Sequence, residues 1–438
     1  GGGIGGGGLL VPIYMIVTNF ATQQATSLSL ATISGGAVAN LWTYTRRYHP
    51  NPLLKRPLID YDATLLFCPA LLAGTMFGSM FSVMFPEWIV VLFLITLLGL
   101  SSYKTLLKGL IKWRAQQRIN ELAASSQNNL EMIQTVPCSA AVDGTQDGST
   151  EDDDSDVAVL IGSKDDVETR KEGEDDDEEE SLICLQDSEI VPEELRQIYQ
   201  AEATLAPWVK LRFTALIWTI VLLFALMRGG RGGDSIVNAM AGNNVVTCGG
   251  TWYWILFSLN MLILIIFTVY LRRFLLKSYH QKIVLGHQPL EGDLHWDEKT
   301  TITYPVLCTF AGVATGLLGI GGGMVLGPLL VGLGCLPQAV SATSAYVVFI
   351  TATSGLLQVM IQQLLPKWDY VVFFSFLGFV STFLGQTVVD YLVKKYKQDS
   401  IVILLIGFIM AVALVLMTYA GIVNMVAGAS IGFTGLCQ

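Results

Sequence analysis

The sequence predicts an all-α polytopic membrane protein, and three observations carry that expectation. Apolar residues make up 52% of the chain against 14% charged, with a mean hydropathy of +0.53. They fall in long charge-free runs that have no water-facing side. Two of those runs are interrupted by glycines at matching points: LLGIGGGMVLGP over Leu317–Pro328, and GIGGGGLLVP over Gly3–Pro12. The two copies set Ile4 against Ile320 and Pro12 against Pro328. The chain therefore reads as two repeats, each with a Gly-broken helix, and about 10–11 hydrophobic segments in all.

The breaks are Gly5, Gly6 and Gly7 in the first copy and Gly321, Gly322 and Gly323 in the second. Glycines in series free the backbone from the helix and let a second helix start at Met324. The bare N–H groups at such a start carry roughly half a positive charge between them and attract an anion without any Lys or Arg. Close helix packing is the plainer use of such glycines. Their recurrence at matching points in two halves is what points to a binding site at the bilayer midplane. Gly1, Gly3 and Gly6 also spell GxGxxG, but no strand precedes them and no βαβ unit surrounds them.

Taken in order, Leu9–Phe20 is shorter than the ~20 residues a span needs, so it is the second half of a broken helix. The second copy is preceded by a full apolar segment, Ile302–Leu318, whereas the first is expected to lack its leading helix. Ala25–Trp42 follows as a span, and the positive-inside tendency places the loop bearing Arg46, Arg47, Lys55 and Arg56 in the cytoplasm. Ala63–Phe85 runs outward, with Gly74 and Gly78 at the four-residue spacing that lets two helix backbones approach. Trp88–Leu107 returns to a cytoplasmic end marked by Lys104, Lys108, Lys112, Arg114 and Arg118.

From about Asn120 to Pro207 the apolar periodicity stops. Asp143–Glu194 holds 22 acidic and 3 basic residues, a formal charge of −19 within a whole-chain −10, so the remainder carries +9. Such a segment cannot bury enough surface to order itself and is expected to be a disordered cytoplasmic linker. Trp208–Met227 and Thr251–Leu271 are two further spans around a Gly-rich external loop, the second ending in Arg272, Arg273 and Lys277. His280, His287 and His295 follow with no metal-ligand spacing and are given no role.

The second half continues from its break through Met324–Leu333 to spans Ser341–Leu365, Tyr370–Val393 and Ile401–Tyr419, with Lys394, Lys395 and Lys397 in a cytoplasmic loop. Ala63–Phe85 matches Tyr370–Val393 by position and by small residues, Gly74 and Gly78 against Ser381 and Gly385. Basic residues precede the first of these spans and follow the second, so the repeats are expected to be inverted, with Ala21 and Pro337 reached from opposite sides. The organisation expected is a first transmembrane repeat over 1–118, the acidic linker over 119–207, a connecting pair of spans with its loop over 208–300, and the second repeat over 301–438. Seven cysteines show no CxxC pair and imply neither a disulfide nor a metal framework.

Each broken helix is followed by an ATS triplet, Ala25–Thr26–Ser27 and Ala342–Thr343–Ser344. The hydroxyls of Thr26, Ser27, Thr343 and Ser344 either cap bare N–H groups at a helix start or, with the glycines, form a neutral donor cage for a small oxyanion at the pseudo-twofold axis. Both readings stand on these residues. Paired glycines, proline, ATS and small-residue span in this order resemble the TauE/SafE-type sulfite exporter family, and the long acidic insert resembles its eukaryotic branch. The resemblance covers both halves. It implies an all-helical permease for sulfite, organosulfonates or related sulfur anions. An anion channel, or a carrier of another small organic anion, is the competing reading.

An enzyme is not expected, because the span interiors hold almost no ionisable residue to serve as nucleophile or base. Asp390 lies near a cytoplasmic helix end and is expected to be solvated. No cofactor, metal or nucleic acid is called for. The partners implied are the lipid bilayer, a small anionic substrate and, for a secondary carrier, a coupling proton or sodium ion.

Overall fold

The structure, a computed structural model, describes residues 6–18, 20, 22–48, 56–134, 204–205, 207–229, 235–241, 246–285, 294, 296–332, 335–362, 368–396 and 400–426. In chain order these form α1 (Gly7–Thr18), α2 (Thr22–Tyr44), α3 (Tyr61–Met84), α4 (Glu87–Gln134), α5 (Trp208–Arg228) and α6 (Ile236–Ala241), followed by α7 (Thr251–Val284), α8 (Thr300–Leu318), α9 (Gly323–Gly332), α10 (Pro337–Ile361), α11 (Trp368–Tyr396) and α12 (Ser400–Val426). Among the described residues there is no strand, only an isolated bridge between Tyr48 and Pro57. Contacts divide the chain into one unit of Gly1–Arg114 with Val191–Gln438 and a second of Ala115–Ile190.

The protein is an integral, multi-pass membrane protein. Seven described helices contain a stretch long and apolar enough to cross a bilayer: Tyr61–Met84, Trp88–Ile111, Trp208–Arg228, Thr251–Val284, Thr300–Leu318, Gln338–Ile361 and Trp368–Tyr391. Gly7–Thr18, Gly323–Gly332 and Gly407–Val423 are shorter apolar helices, the first two being the halves beyond the breaks. Phe310, Phe373, Phe376 and Val415 are among many apolar side chains left facing outward, as lipid contact requires.

Three expectations change. Helix α4 runs on to Gln134, past the point where the linker was expected to begin, because no Gly or Pro interrupts it between Gly109 and Pro137. The greater part of the linker, 135–203, lies outside the described residues. Helix α2 is long enough to span but too polar to count as apolar. It sits inside the bundle, with Ser27 and Ser29 fully buried, and several of its hydroxyls are satisfied by its own carbonyls, Thr32 to Leu28 at 2.9 Å and Ser34 to Leu30 at 2.7 Å. Cys248 is disulfide-bonded, which the cysteine spacing gave no means of anticipating.

Glycine decides how the helices meet. The Gly74 and Gly78 expected to allow close approach do so in α3, where a Cβ would lie 2.1 Å from Thr309 O and 2.2 Å from Val313 O of α8. Helix α8 answers with its own pair at the same spacing: a Cβ at Gly312 or Gly316 would lie 2.3 Å from Leu71 O or Thr75 O. The two helices run parallel, backbone against backbone, as small-xxx-small pairs permit. Helices α2 and α11 form a second such seam, with Gly35 against Ser375 O and Gly378 against Thr32 O at 1.8 and 2.0 Å. On α11 the close contact thus falls at Gly378 and Ser375, not at the Ser381 and Gly385 matched in the sequence.

The ends of the bundle are tied by polar contacts. Arg47, just past α2, holds Asp390 of α11 in a two-pronged pair, Nη1 donating to Oδ1 at 2.9 Å. Asp390 is therefore partnered by Arg47 and not simply solvated. At the same end Leu58 N donates to Arg47 O at 3.0 Å, Asp60 caps α3 through the Asp62 and Ala63 amides, and Lys210 pairs with Asp62 at 2.7 Å. This end therefore gathers the end of α2 and α11 and the start of α3 and α5, with Arg47 and Lys210 among them.

Candidate functional site

The second break is built from left-handed glycines. Gly319 ends α8 at φ +65°, and Gly321 and Gly322 follow at +73° and +82°. The Gly322 carbonyl accepts from Val325 at 3.2 Å and Leu326 at 3.0 Å, which opens α9. The first break repeats this geometry: Gly6, at φ +65°, accepts from Leu9 and Leu10 at 3.0 and 3.1 Å and opens α1. The duplicated motif in the sequence is thus a duplicated turn, and each copy starts a short helix whose first N–H groups have no place in a helical ladder. Gly5 lies outside the described residues.

The two breaks touch. A Cβ at Gly7 would lie 2.4 Å from Ile320 Cα and 2.9 Å from Ile33 Cδ1. The helices carrying the ATS triplets brace the second break from two sides, Ser29 Oγ of α2 donating to Gly319 O at 3.2 Å and Thr351 Oγ1 of α10 donating to Gly321 O at 3.0 Å. They pass it in opposite directions. Ile33 and Val348 both lie against Gly321, while Leu30 lies beside Gly355 further along, so α2 and α10 run antiparallel.

Beside the break is a cavity of about 520 Å³, counting its open mouth. Helix α2 contributes Gln23, Thr26 and Ser27 to it, α3 contributes Thr75, Ser79 and Ser82, and the end of α8 contributes Thr315, Gly316 and Gly319. Helix α10 adds Thr351, Gly355 and Gln358, with Gln362 just beyond its end. Among the described residues the lining has many hydroxyls and amides and no ionisable side chain. Gly322 stands behind Thr315 and Thr351, whose hydroxyl oxygens would lie 3.5 and 3.3 Å from its Cβ, so the start of α9 backs this wall.

Most of these hydroxyls donate back to their own helices, Thr75 to Leu72 O and Thr315 to Ala311 O, each at 2.8 Å. Gln358 differs. It is 2% exposed, Ser79 donates to its Oε1 at 3.0 Å, and its Nε2 has no partner among the described residues. A buried donor on a residue that lines a cavity is one that water or a ligand there can satisfy.

The sequence-predicted residues divide between two places. Thr26 and Ser27 line the cavity, and Gly321, Gly322 and Gly323 form the break beside it, against which Gly7 packs. Thr343 and Ser344 do not reach this cavity: Thr343 Oγ1 accepts from Asp60 N at 3.0 Å, and Ser344 Oγ is buried without a partner. The capping role considered for these hydroxyls does not hold. Helices α2 and α10 start at Thr22 and Pro337, well before the triplets, and Thr26 and Ser27 donate to Gln23 O at 2.8 and 2.7 Å instead of accepting from a bare N–H. At Thr343's end, burial and the neighbouring Asp62 push the Asp60 carboxyl above the usual carboxylate range.

Sequence reading missed Ser79, Thr315, Thr351 and Gln358. A signal was present in α3, where Thr75, Ser79 and Ser82 recur at helical spacing on one face of an otherwise apolar span.

The family model for the sulfite exporter TauE/SafE matches residues 2–142 and 304–435, the two stretches that hold the breaks. Sulfite exporter TauE/SafE family proteins 5 and 2 of Arabidopsis thaliana are each 28% identical, over the whole of this chain and 84% of their own length. Family protein 3 of the same plant is 24% identical, over the whole of this chain and 79% of its own length. No solved structure matches the chain.

Proposed function

The chain belongs to the sulfite exporter TauE/SafE family, and from that membership we propose that it is a secondary transporter of small sulfur-containing anions, sulfite or organosulfonates, working by alternating access. The observation that carries the reading is the cavity beside the second break, roofed by hydroxyls, backed by a helix start and holding the bare Gln358 amide. An oxyanion presents several acceptor oxygens and no donor. The neutral Gln358 amide and a helix N-terminus hold it without the lasting grip of a lysine or arginine, which suits a cargo that must be released.

The antiparallel course of α2 and α10 supports inverted halves. By the positive-inside tendency the basic residues at the Arg47 end favour the cytoplasm for that end, and the cavity mouth, at the opposite ends of the same helices, then faces away from it. Cys248, in the loop between α6 and α7, lies on that outer side by the same reckoning, where a disulfide persists. Among the expected probes of polarity, Pro337 opens α10 and Ala21 lies outside the described residues.

The test is flux of labelled sulfite in proteoliposomes holding the full chain. Gln358→Leu is expected to lower flux on the order of tenfold, the worth of one hydrogen bond to a charged group. Gln358→Glu, which replaces the donor with a negative acceptor, is expected to abolish it. Full flux in both well-folded variants would remove this cavity from the transport path. Saturable flux at carrier rates separates a transporter from an anion channel. Deleting residues 144–180 of the acidic linker is expected to leave flux within about twofold, since such an insert makes few contacts that the spans need.

A further inference from the structure

The cavity does not use all of the buried polar groups among the described residues. Another set lies toward the Arg47 end, on α2 and on the two helices that each pack against it, α10 and α11. Helices α2 and α11 run side by side from Ser375, whose Oγ donates to Ala31 O at 2.9 Å, to the Arg47–Asp390 pair. Partway along, a Cβ at Gly36 would lie 2.5 Å from Thr382 Oγ1. One turn further on each helix stand Asn40 and Gln386, 6% and 2% exposed. Asn40 Oδ1 and both amide atoms of Gln386 have no partner among the described residues. Continuing the antiparallel register of α2 and α10 past Ile33 and Val348 brings Ser344, 1% exposed and also unpartnered, to the level of Asn40.

The repeat relates this set to the first. The shift that carries one ATS triplet onto the other carries Ser27 onto Ser344. The shift that matches Gly74 and Gly78 to Ser381 and Gly385 in sequence, though not in helix contact, carries Thr75 onto Thr382 and Ser79 onto Gln386. Ser27, Thr75 and Ser79 all line the open cavity. Their counterparts are closed in, yet they keep polar atoms that a sealed apolar core has no reason to retain.

We propose that Asn40, Ser344 and Gln386 form the cytoplasm-facing station for the same anion, shut in this conformation and opened when the cavity at Gln358 closes. The proposal rests on the transport reading above. In an inverted repeat the second half supplies, on the other side of the membrane, what the first half supplies on its own side. The amides and hydroxyl are then groups between occupants: they are buried here and meet the anion or water once the inner gate parts.

The experiment uses the full chain with its accessible native cysteines replaced, in sealed vesicles of both orientations, and a membrane-impermeant thiol reagent. Gln386→Cys and Ser344→Cys are expected to react from the Arg47 side, at least tenfold faster than from the other. Ser79→Cys is expected to show the reverse. If Ser79→Cys reacts from its own side while both inner cysteines stay unreactive, or react from the cavity side, the proposed station is overturned and the buried groups are core. Should Gln386→Cys fold poorly by size-exclusion chromatography, Ser344→Cys, a one-atom change, decides alone. Sulfite flux of the parent is measured in parallel. Flux with sealed inner cysteines sinks the station and leaves transport standing. The expected labelling without sulfite flux sinks the substrate reading and leaves two-sided access standing.

Discussion

Leucine at Gly321 is expected to reduce sulfite flux on the order of a hundredfold while the protein still inserts and purifies. Gly321 sits at φ +73°, where an L side chain costs about 1–2 kcal/mol. A Cβ there would lie 2.8 Å from Ile33 Cγ2 and 3.3 Å from its Cδ1, with Val348 closing the other side at 3.7 Å. Three further carbons have no room between α2 and α10, so those helices part or the break refolds, at roughly 1–3 kcal/mol more. The Gly321 carbonyl then leaves Thr351, and the wall behind Gln358 moves. Gly322→Leu, at φ +82° and facing Thr315 and Thr351, is expected to act alike. Flux measured against the amount of inserted protein checks this, and wild-type flux in a correctly inserted Gly321→Leu would show that the break's geometry has no part in transport.

Gly316→Leu is expected to cost the folded protein itself. A Cβ at Gly316 would lie 2.3 Å from Thr75 O, 2.8 Å from Ser79 N and 2.9 Å from Thr75 Cα, all of it backbone that no rotamer change can clear. Helices α3 and α8 would have to separate along a seam where Gly74, Gly78 and Gly312 also meet bare backbone. The expected loss is roughly 3 kcal/mol or more, beyond the usual range for overpacking because nothing flexible can yield. The readout is the yield of monodisperse protein after detergent extraction, which is expected to collapse. Gly355→Ala is the comparison, since its Cβ would meet only Leu30 methyl groups at 3.4 and 3.5 Å and should leave yield unchanged.

Much of this was legible before any coordinates, because membrane insertion writes itself into composition. The spans, the breaks and the Gly74/Gly78 approach are each set by a local rule: no charge, no Cβ, or a four-residue spacing. The breaks were also visible as a pair, since Gly6 and Gly322 must both take a left-handed turn that few other residues accept. What stayed hidden depends on where a helix sits. Helix α2 reads as a weak span because its polarity suits the inside of a bundle, and no local pattern says which helix is innermost. Gln358 is a single amide among apolar neighbours, and only the position of Ser79, far away in the chain, shows which end of it is bare. Thr343 and Ser344 were grouped with Thr26 and Ser27 because the triplets match in sequence. In space α2 and α10 run antiparallel, which puts the matching residues of the two triplets apart.

The glycine seams also decide which parts of the bundle can slide. Where α3 meets α8, and at Gly35 and Gly378 where α2 meets α11, main chain rests on main chain, so each pair resists sliding as a single rod would. Between α2 and α10 the surfaces are soft: at Gly355 the neighbours are leucine methyl groups, which can turn aside. Any large movement therefore concentrates in this lubricated plane, and the cavity is a gap between two stiff bodies. Stiffness and compliance in this protein are apportioned by where side chains have been left out.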